Sequence, residues 1–143
     1  MVELLAPAGS KEALTAAVEA GANAVYLAGS QFGARAYASN FDADGLREAV
    51  RYAHLRGTAI HVTVNTIVDE EELPALAEYL RFLYEIGADA VLVQDLGLVR
   101  VLRSAVPDLP LHASTQMSIH NLAGVEAAAE LGFGSRAYEL IEV

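Results

Sequence analysis

Short apolar runs, each closed by a small polar cluster and followed by a helical pattern, recur five times along this chain. The clusters are Pro7-Ala8-Gly9-Ser10, Ala28-Gly29-Ser30, Asn65-Thr66, Gln94-Asp95 and His112-Ala113-Ser114-Thr115-Gln116. Strand-length apolar runs alternating with stripes of 3.6-residue period predict consecutive βα units on a parallel sheet. Strands are expected at 3–6, 24–27, 59–64, 90–93 and 111–115. Between them run the stripes Ala13, Leu14, Ala17 and Val18, then Leu46, Ala49, Val50 and Ala53, then Leu73, Leu76, Leu80, Leu83 and Ile86. Two more helices are expected at 96–105 and 122–131. Ser10 and Asp42 stand where N-caps belong, and Asp69 with Glu72 has the spacing of a capping box. Gly21, Gly57, Gly87 and Gly132 stand where helices stop. The segment Arg136 to Val143 reads as a candidate sixth strand.

The expected fold class is therefore α/β: a partial TIM-like (β/α) barrel of about five βα units with a parallel sheet, where a closed barrel needs eight. No GxGxxG fingerprint or Walker lysine follows the first strand, so a doubly wound nucleotide fold is disfavoured. A faint repeat, Gly21-Ala22-Asn23-Ala24-Val25 and Gly87-Ala88-Asp89-Ala90-Val91, is read as the same helix stop feeding a buried strand twice.

Parallel α/β folds bind ligands at the C-terminal ends of their strands, which is where the polar clusters fall. Alternation places His61, Thr63 and Asn65 on one face of the third strand, and His112, Ser114 and Gln116 on one face of the fifth. The apolar alternates must pack on helices, so the polar sets point into the interior. Asn65, Gln94, Ser114 and Gln116 are the candidate substrate-binding residues. Asp95, the carboxylate at these strand ends, is the candidate acid or base, with an N-cap as its plainer role. Arg35, on the long Gly-rich connection 28–40, is a candidate anion ligand or else a surface ion-pair partner. His61 and His112 lie deeper and are read first as core histidines, with Glu3 and Tyr26 near the same depth. His54 is expected on a helix surface, and His120 as a cap or rim residue. No HxH or HExxH spacing supports a metal site. No GxSxG elbow surrounds Ser114 or Ser118.

Composition narrows the picture. A length of 143 residues with 54% hydrophobic content suits one domain, 1–143, with a real core. The formal charge of −10 disfavours nucleic-acid binding by this segment alone, because an acidic surface repels phosphate. There are no cysteines, so no disulfide or thiolate-held cofactor is expected on this chain. The longest apolar runs are strand-sized, and no membrane span or signal peptide is expected. A cytoplasmic location fits.

The clusters, in their order, resemble the N-terminal half of the collagenase-like peptidases, the class U peptidases of unknown catalytic type. The stretches that carry this are Glu3 to Ser10, Phe32-Gly33-Ala34-Arg35 with Asn40-Phe41, Val62 to Thr66, Val93 to Gly97, and His112 to Ser118 with Asn121. The resemblance implies a TIM-like barrel. It also implies either protease activity or oxygen-independent hydroxylation of transfer RNA, ribosomal RNA or a ubiquinone precursor. Members with the latter activity hold a four-iron cluster on cysteines that lie beyond the residues matched here. The chain is thus expected to be the truncated N-terminal part of a barrel, inactive alone, with an iron–sulfur cluster only in a full-length relative. Its expected partners are a second copy or the remainder of the barrel, neither membrane nor nucleic acid. A small-substrate metabolic barrel and a non-catalytic assembly module are the other readings.

Overall fold

The computed structural model describes residues 3–34 and 41–134. Five strands alternate with five helices: β1 (Leu5–Pro7), α1 (Lys11–Glu19), β2 (Ala24–Ala28), α2 (Ala43–His54), β3 (Ala59–Val64), α3 (Leu73–Glu85), β4 (Ala90–Val93), α4 (Leu96–Ala105), β5 (Leu111–Ala113) and α5 (Leu122–Glu130). All neighbours in the sheet are parallel, in the order β1-β2-β3-β4-β5. Sequential order with a helix after every strand is the partial (β/α) barrel that the alternating pattern predicts. The candidate sixth strand lies outside the described residues.

One face of the sheet is apolar. Val25, Leu27, Ile60, Val62, Val64, Val91, Val93, Leu111 and Ala113 are buried and belong to one core with Leu14, Leu46, Leu76, Leu80, Leu83, Leu98 and Leu102 from the helices. Removing large aliphatic side chains from water on both layers supplies the main folding force, about 1.5–3 kcal/mol for each one fully buried.

The helix starts follow the side-chain chemistry. Ser10 Oγ accepts from Ala13 N, and Asp42 Oδ1 accepts from Gly45 N. Asp69 and Glu72 form the capping box, but it opens a 3₁₀ turn at Glu70–Glu72, and α3 begins after it with Pro74 in its first turn. There Pro gives up only an N–H that has no helical partner.

Four of the five helix ends are alike; α4 instead ends through Val106, ahead of Pro107, without a glycine. Gly21, Gly57, Gly87 and Gly132 have φ of 90°, 75°, 86° and 88°. At each, the following residue donates back into the helix: Ala22 to Ala17, Thr58 to Ala53, Ala88 to Leu83 and Phe133 to Ala128. This is the Schellman return, which needs a left-handed residue and so a glycine.

The faint repeat has a further cause. Asn23 N donates to Leu4 O, and Asn23 Oδ1 accepts from Leu4 N at 2.7 Å. Asp89 N likewise donates to Ile60 O, and Asp89 Oδ2 accepts from Ile60 N at 2.7 Å. The side chain completes a two-bond clamp onto the neighbouring strand where the ladder has not yet begun. His54, expected as a plain surface residue, bonds the same Asp89 oxygen through Nε2 at 2.8 Å.

Three strands differ from expectation, β2 by the single added residue Ala28. β1 runs on to Pro7, an edge residue whose missing N–H costs the ladder nothing, with Ala8 N reaching Tyr26 O. β5 ends at Ala113 instead of 115, because the chain winds into a 3₁₀ turn at Thr115–Met117 that closes with Ser118 in the left-handed region.

Candidate functional site at the strand C-terminal ends

Strand register fixes which side chains face inward. Pro7, Tyr26, His61 and Ala90 stand level across β1 to β4, and Ala28, Thr63, Leu92 and His112 stand level across β2 to β5. His61, Thr63, His112 and Ser114 are buried on this face. The His61 and His112 rings meet edge to face with centroids 4.7 Å apart. The strand between them presents only the small Ala90 beside His61, which leaves the rings room to touch.

Above the histidines the polar groups close on one another. Asn65 Oδ1 accepts from Ala34 N at 3.0 Å. Asn65 Nδ2 donates to Gln116 Oε1 at 3.0 Å and to Ser114 Oγ at 3.4 Å. Ser114 Oγ in turn donates to Gln116 Oε1. Three elements thus meet at one ring: the β3 end, the β5 end and the segment after β2. Gln116 reaches the ring through the 3₁₀ turn, where Met117 N bonds Ser114 O, and not through strand alternation.

The segment after β2 is folded over the sheet. Thr66 Oγ1 donates to Phe32 O at 3.2 Å. Phe32 has φ of 54°, a conformation uncommon for a residue with a side chain. Gly33 is buried so closely that a Cβ there would stand 3.3 Å from Ala28 Cβ and 3.4 Å from Thr63 Oγ1. Phe32 packs against Tyr79 at 5.8 Å, which places the loop on α3.

Of the residues singled out in the sequence, Asn65, Ser114 and Gln116 come together. Asp95 takes a different position. Its Oδ1 accepts from Gly97 N at 2.8 Å and caps α4, and its Oδ2 accepts from Val68 N at 3.3 Å. The carboxylate ties the loop after β3 to the start of α4. Gln94 ends the inward row of β4 and is half-buried. Arg35 lies outside the described residues, directly after Ala34. Asn121 caps α5 through Gly124 N. His120 is therefore no cap, and its Nδ1 donates to Ser118 O at 2.8 Å.

The sequence did not point to Ala34, whose backbone N–H anchors Asn65, nor to Tyr79. A backbone donor leaves no compositional trace. Tyr79 is signalled only by falling on the stripe of α3, where it reads as core. Its hydroxyl is buried without a hydrogen-bond partner among the described residues, and burial raises its pKa above the usual 10. No cluster of three or more metal-ligating side chains occurs among the described residues. No helix among them is long and apolar enough to cross a membrane.

Comparison with known proteins adds independent support. The family model described as Peptidase family U32 matches residues 9–136. The chain is 40% identical over 132 residues to the 23S rRNA 5-hydroxycytidine C2501 synthase of Escherichia coli, covering 92% of this chain and 20% of that protein. It is 36% identical over 130 residues to tRNA hydroxylation protein P1 of Bacillus subtilis, covering 91% and 31%. It is 37% identical over 121 residues to an uncharacterized protease of Methanocaldococcus jannaschii, covering 85% and 29%. The chain thus spans between a fifth and about a third of the length of these relatives. Among solved structures, the U32 peptidase Mk0906 superposes with a TM-score of 0.74 at 18% identity, over 93% of this chain and 56% of that one, a likeness of fold.

Proposed function

Because the chain belongs to peptidase family U32, we propose that it forms the strand-end mouth of a barrel enzyme that hydroxylates a pyrimidine base of RNA. The likeness to a ribosomal-RNA hydroxycytidine synthase and a transfer-RNA hydroxylation protein carries this reading. The site chemistry agrees with it. The ring of Asn65, Ser114 and Gln116 is neutral and built from amides and a hydroxyl, groups that pair with base edges. Ile67, Leu96 and Leu122, exposed at the same ends of the units, offer apolar surface on which a base or its neighbours can pack.

Hydrolysis by a serine is less well supported. The Ser114 hydroxyl donates to an amide oxygen, which cannot accept its proton as a base would. A net charge of −10 disfavours broad contact between this segment and a phosphate backbone. An iron–sulfur cluster held by cysteines finds no thiolate in these 143 residues. The residues described here therefore bind and orient.

The test is to inactivate the gene in its own organism and measure hydroxylated pyrimidines in digested ribosomal and transfer RNA by mass spectrometry. Loss of one such nucleoside, restored by the wild-type gene, is expected. An unchanged nucleoside profile overturns the reading.

A further inference from the structure

The ring at the mouth has a direction, and that direction fixes what Gln116 shows to a ligand. Amide oxygen and nitrogen are close in size, so an isolated Asn or Gln can face either way. Here the ambiguity is broken at one end. Ala34 N is a backbone N–H and can only donate, so the Asn65 atom facing it must be Oδ1. Asn65 Nδ2 then faces Gln116 and Ser114 and can only donate. The Gln116 atom facing Asn65 must therefore be Oε1, which also accepts from Ser114 Oγ. Every polar atom in the ring is used except Gln116 Nε2, which has no hydrogen-bond partner among the described residues on an exposed side chain.

From this geometry we infer that Gln116 is a specificity-determining residue that presents N–H donors, and only donors, to a carbonyl oxygen of the bound base. Asn65 is the positioning residue that sets this polarity. The inference rests on the proposed function for the identity of the ligand, but the polarity of the ring stands on the hydrogen bonds alone. A carbonyl such as the pyrimidine O2 is accepted. A group that presents a donor at the same place meets two N–H groups and is rejected, because it covers those donors without pairing them.

Two measurements separate the inference from the reading beneath it. The first is hydrogen exchange of side-chain amides in the ¹⁵N-labelled protein without ligand. The Asn65 NH₂ protons are expected to be protected, and those of Gln116 to exchange freely. Protected Gln116 protons with free Asn65 protons overturn the inference whatever the enzyme does.

The second uses the protein in its own cells, with the hydroxylated nucleoside as readout. Gln116→Glu keeps an oxygen for Asn65 and Ser114 but turns an acceptor outward. It should lower product formation about tenfold or more, the size of one reversed base contact. Asn65→Asp keeps the bond from Ala34 but cannot donate, so Gln116 turns round and the loss should be similar. A role in folding alone predicts that Asn65→Asp, with its Ala34 bond intact, keeps wild-type activity, and that result also overturns the inference. If no hydroxylated nucleoside depends on the wild-type gene, the functional reading fails while the exchange experiment still decides the polarity.

Discussion

The Tyr79 hydroxyl occupies the space that a side chain on Gly29 would need. A Cβ built on Gly29 would overlap Tyr79 Oη and stand 3.2 Å from Tyr79 Cζ and 3.2 Å from Leu46 Cδ1. A glycine at the end of β2 thus lets a phenol on α3 reach the backbone of the loop that covers the mouth. Gly29→Ala is expected to destabilise the protein by about 1–3 kcal/mol, the usual cost of overpacking. Tyr79→Phe removes the offending oxygen and should restore a good part of that loss in the double variant. Urea titrations of the four proteins measure the coupling, and additive losses would contradict it.

The same phenol makes stability depend on pH in a defined window. Burial raises the Tyr79 pKa above its ordinary 10. Above about pH 10 the unfolded chain releases this proton while the folded protein keeps it, so the unfolded state gains. Stability is fully present below pH 10 and falls as the pH climbs beyond it. Tyr79→Phe should lose less stability than wild type between pH 8 and pH 11, since the other tyrosines are common to both. Equal losses in the two proteins would place the phenol in contact with water.

Asn23 and Asp89 do the same work at different strand pairs, so they should answer to the same substitutions. Asp89→Ala removes acceptors for both Ile60 N and His54, and should cost about 1–3 kcal/mol. Asn23→Ala should cost somewhat less, as one neutral acceptor is lost. Asp89→Asn keeps the clamp, as Asn23 does, and only exchanges the half-exposed carboxylate facing His54 for an amide, at a cost of less than about 1 kcal/mol. Thermal unfolding orders the variants. A large loss in Asp89→Asn would make the His54 contact, and not the clamp, the important one.

Asp95→Ala should lose about 1 kcal/mol through the missing cap on α4. It should also free the loop after β3, seen as faster amide exchange at Val68. Unchanged exchange there would mean that the loop is held by its own packing.

β1 has a single sheet neighbour among the described residues, and beyond β5 only Gly134 N bonds to the sheet, at Leu111 O. A sheet edge left open in this way invites another strand. We expect the 143-residue chain to self-associate, with a mass above one copy by light scattering. A monodisperse monomer at high concentration would rule this out.

Much of the scaffold was legible because strand, helix and stop each write a separate signal. β3 and β4 fell at their expected residues, since Ile60, Val62 and Val64 alternate along one and four buried apolar residues run along the other. Ser10 and Asp42 cap by a side chain whose type can be read directly, whereas at α5 Asn121, and not the neighbouring His120, is the cap. The end of β5 was not legible: Ser114 to Gln116 continues the alternation of Leu111 to Ala113, and only the 3₁₀ turn reveals that Gln116 returns by a different route. The site was legible as a set of residues and illegible as a circuit. Asn65, Ser114 and Gln116 are nameable from their positions, but their order of donation starts from the N–H of Ala34, which any residue but proline supplies. Asp95 takes the plainer of the two roles its position suggested, capping α4 through Gly97 N, and the bond from Val68 N left no trace in the sequence.

The four glycine returns lie at one end of the sheet, and the ring, the caps and the folded-over loop lie at the other. The returns repeat one geometry at four of the five helix ends, on the side of the sheet away from the ring. Residues 28–34, 65–69 and 114–121 are therefore the segments to exchange as blocks with another family member, leaving the glycine returns in place. In engineering terms the fold is a chassis with its fasteners on one side and its interchangeable parts on the other.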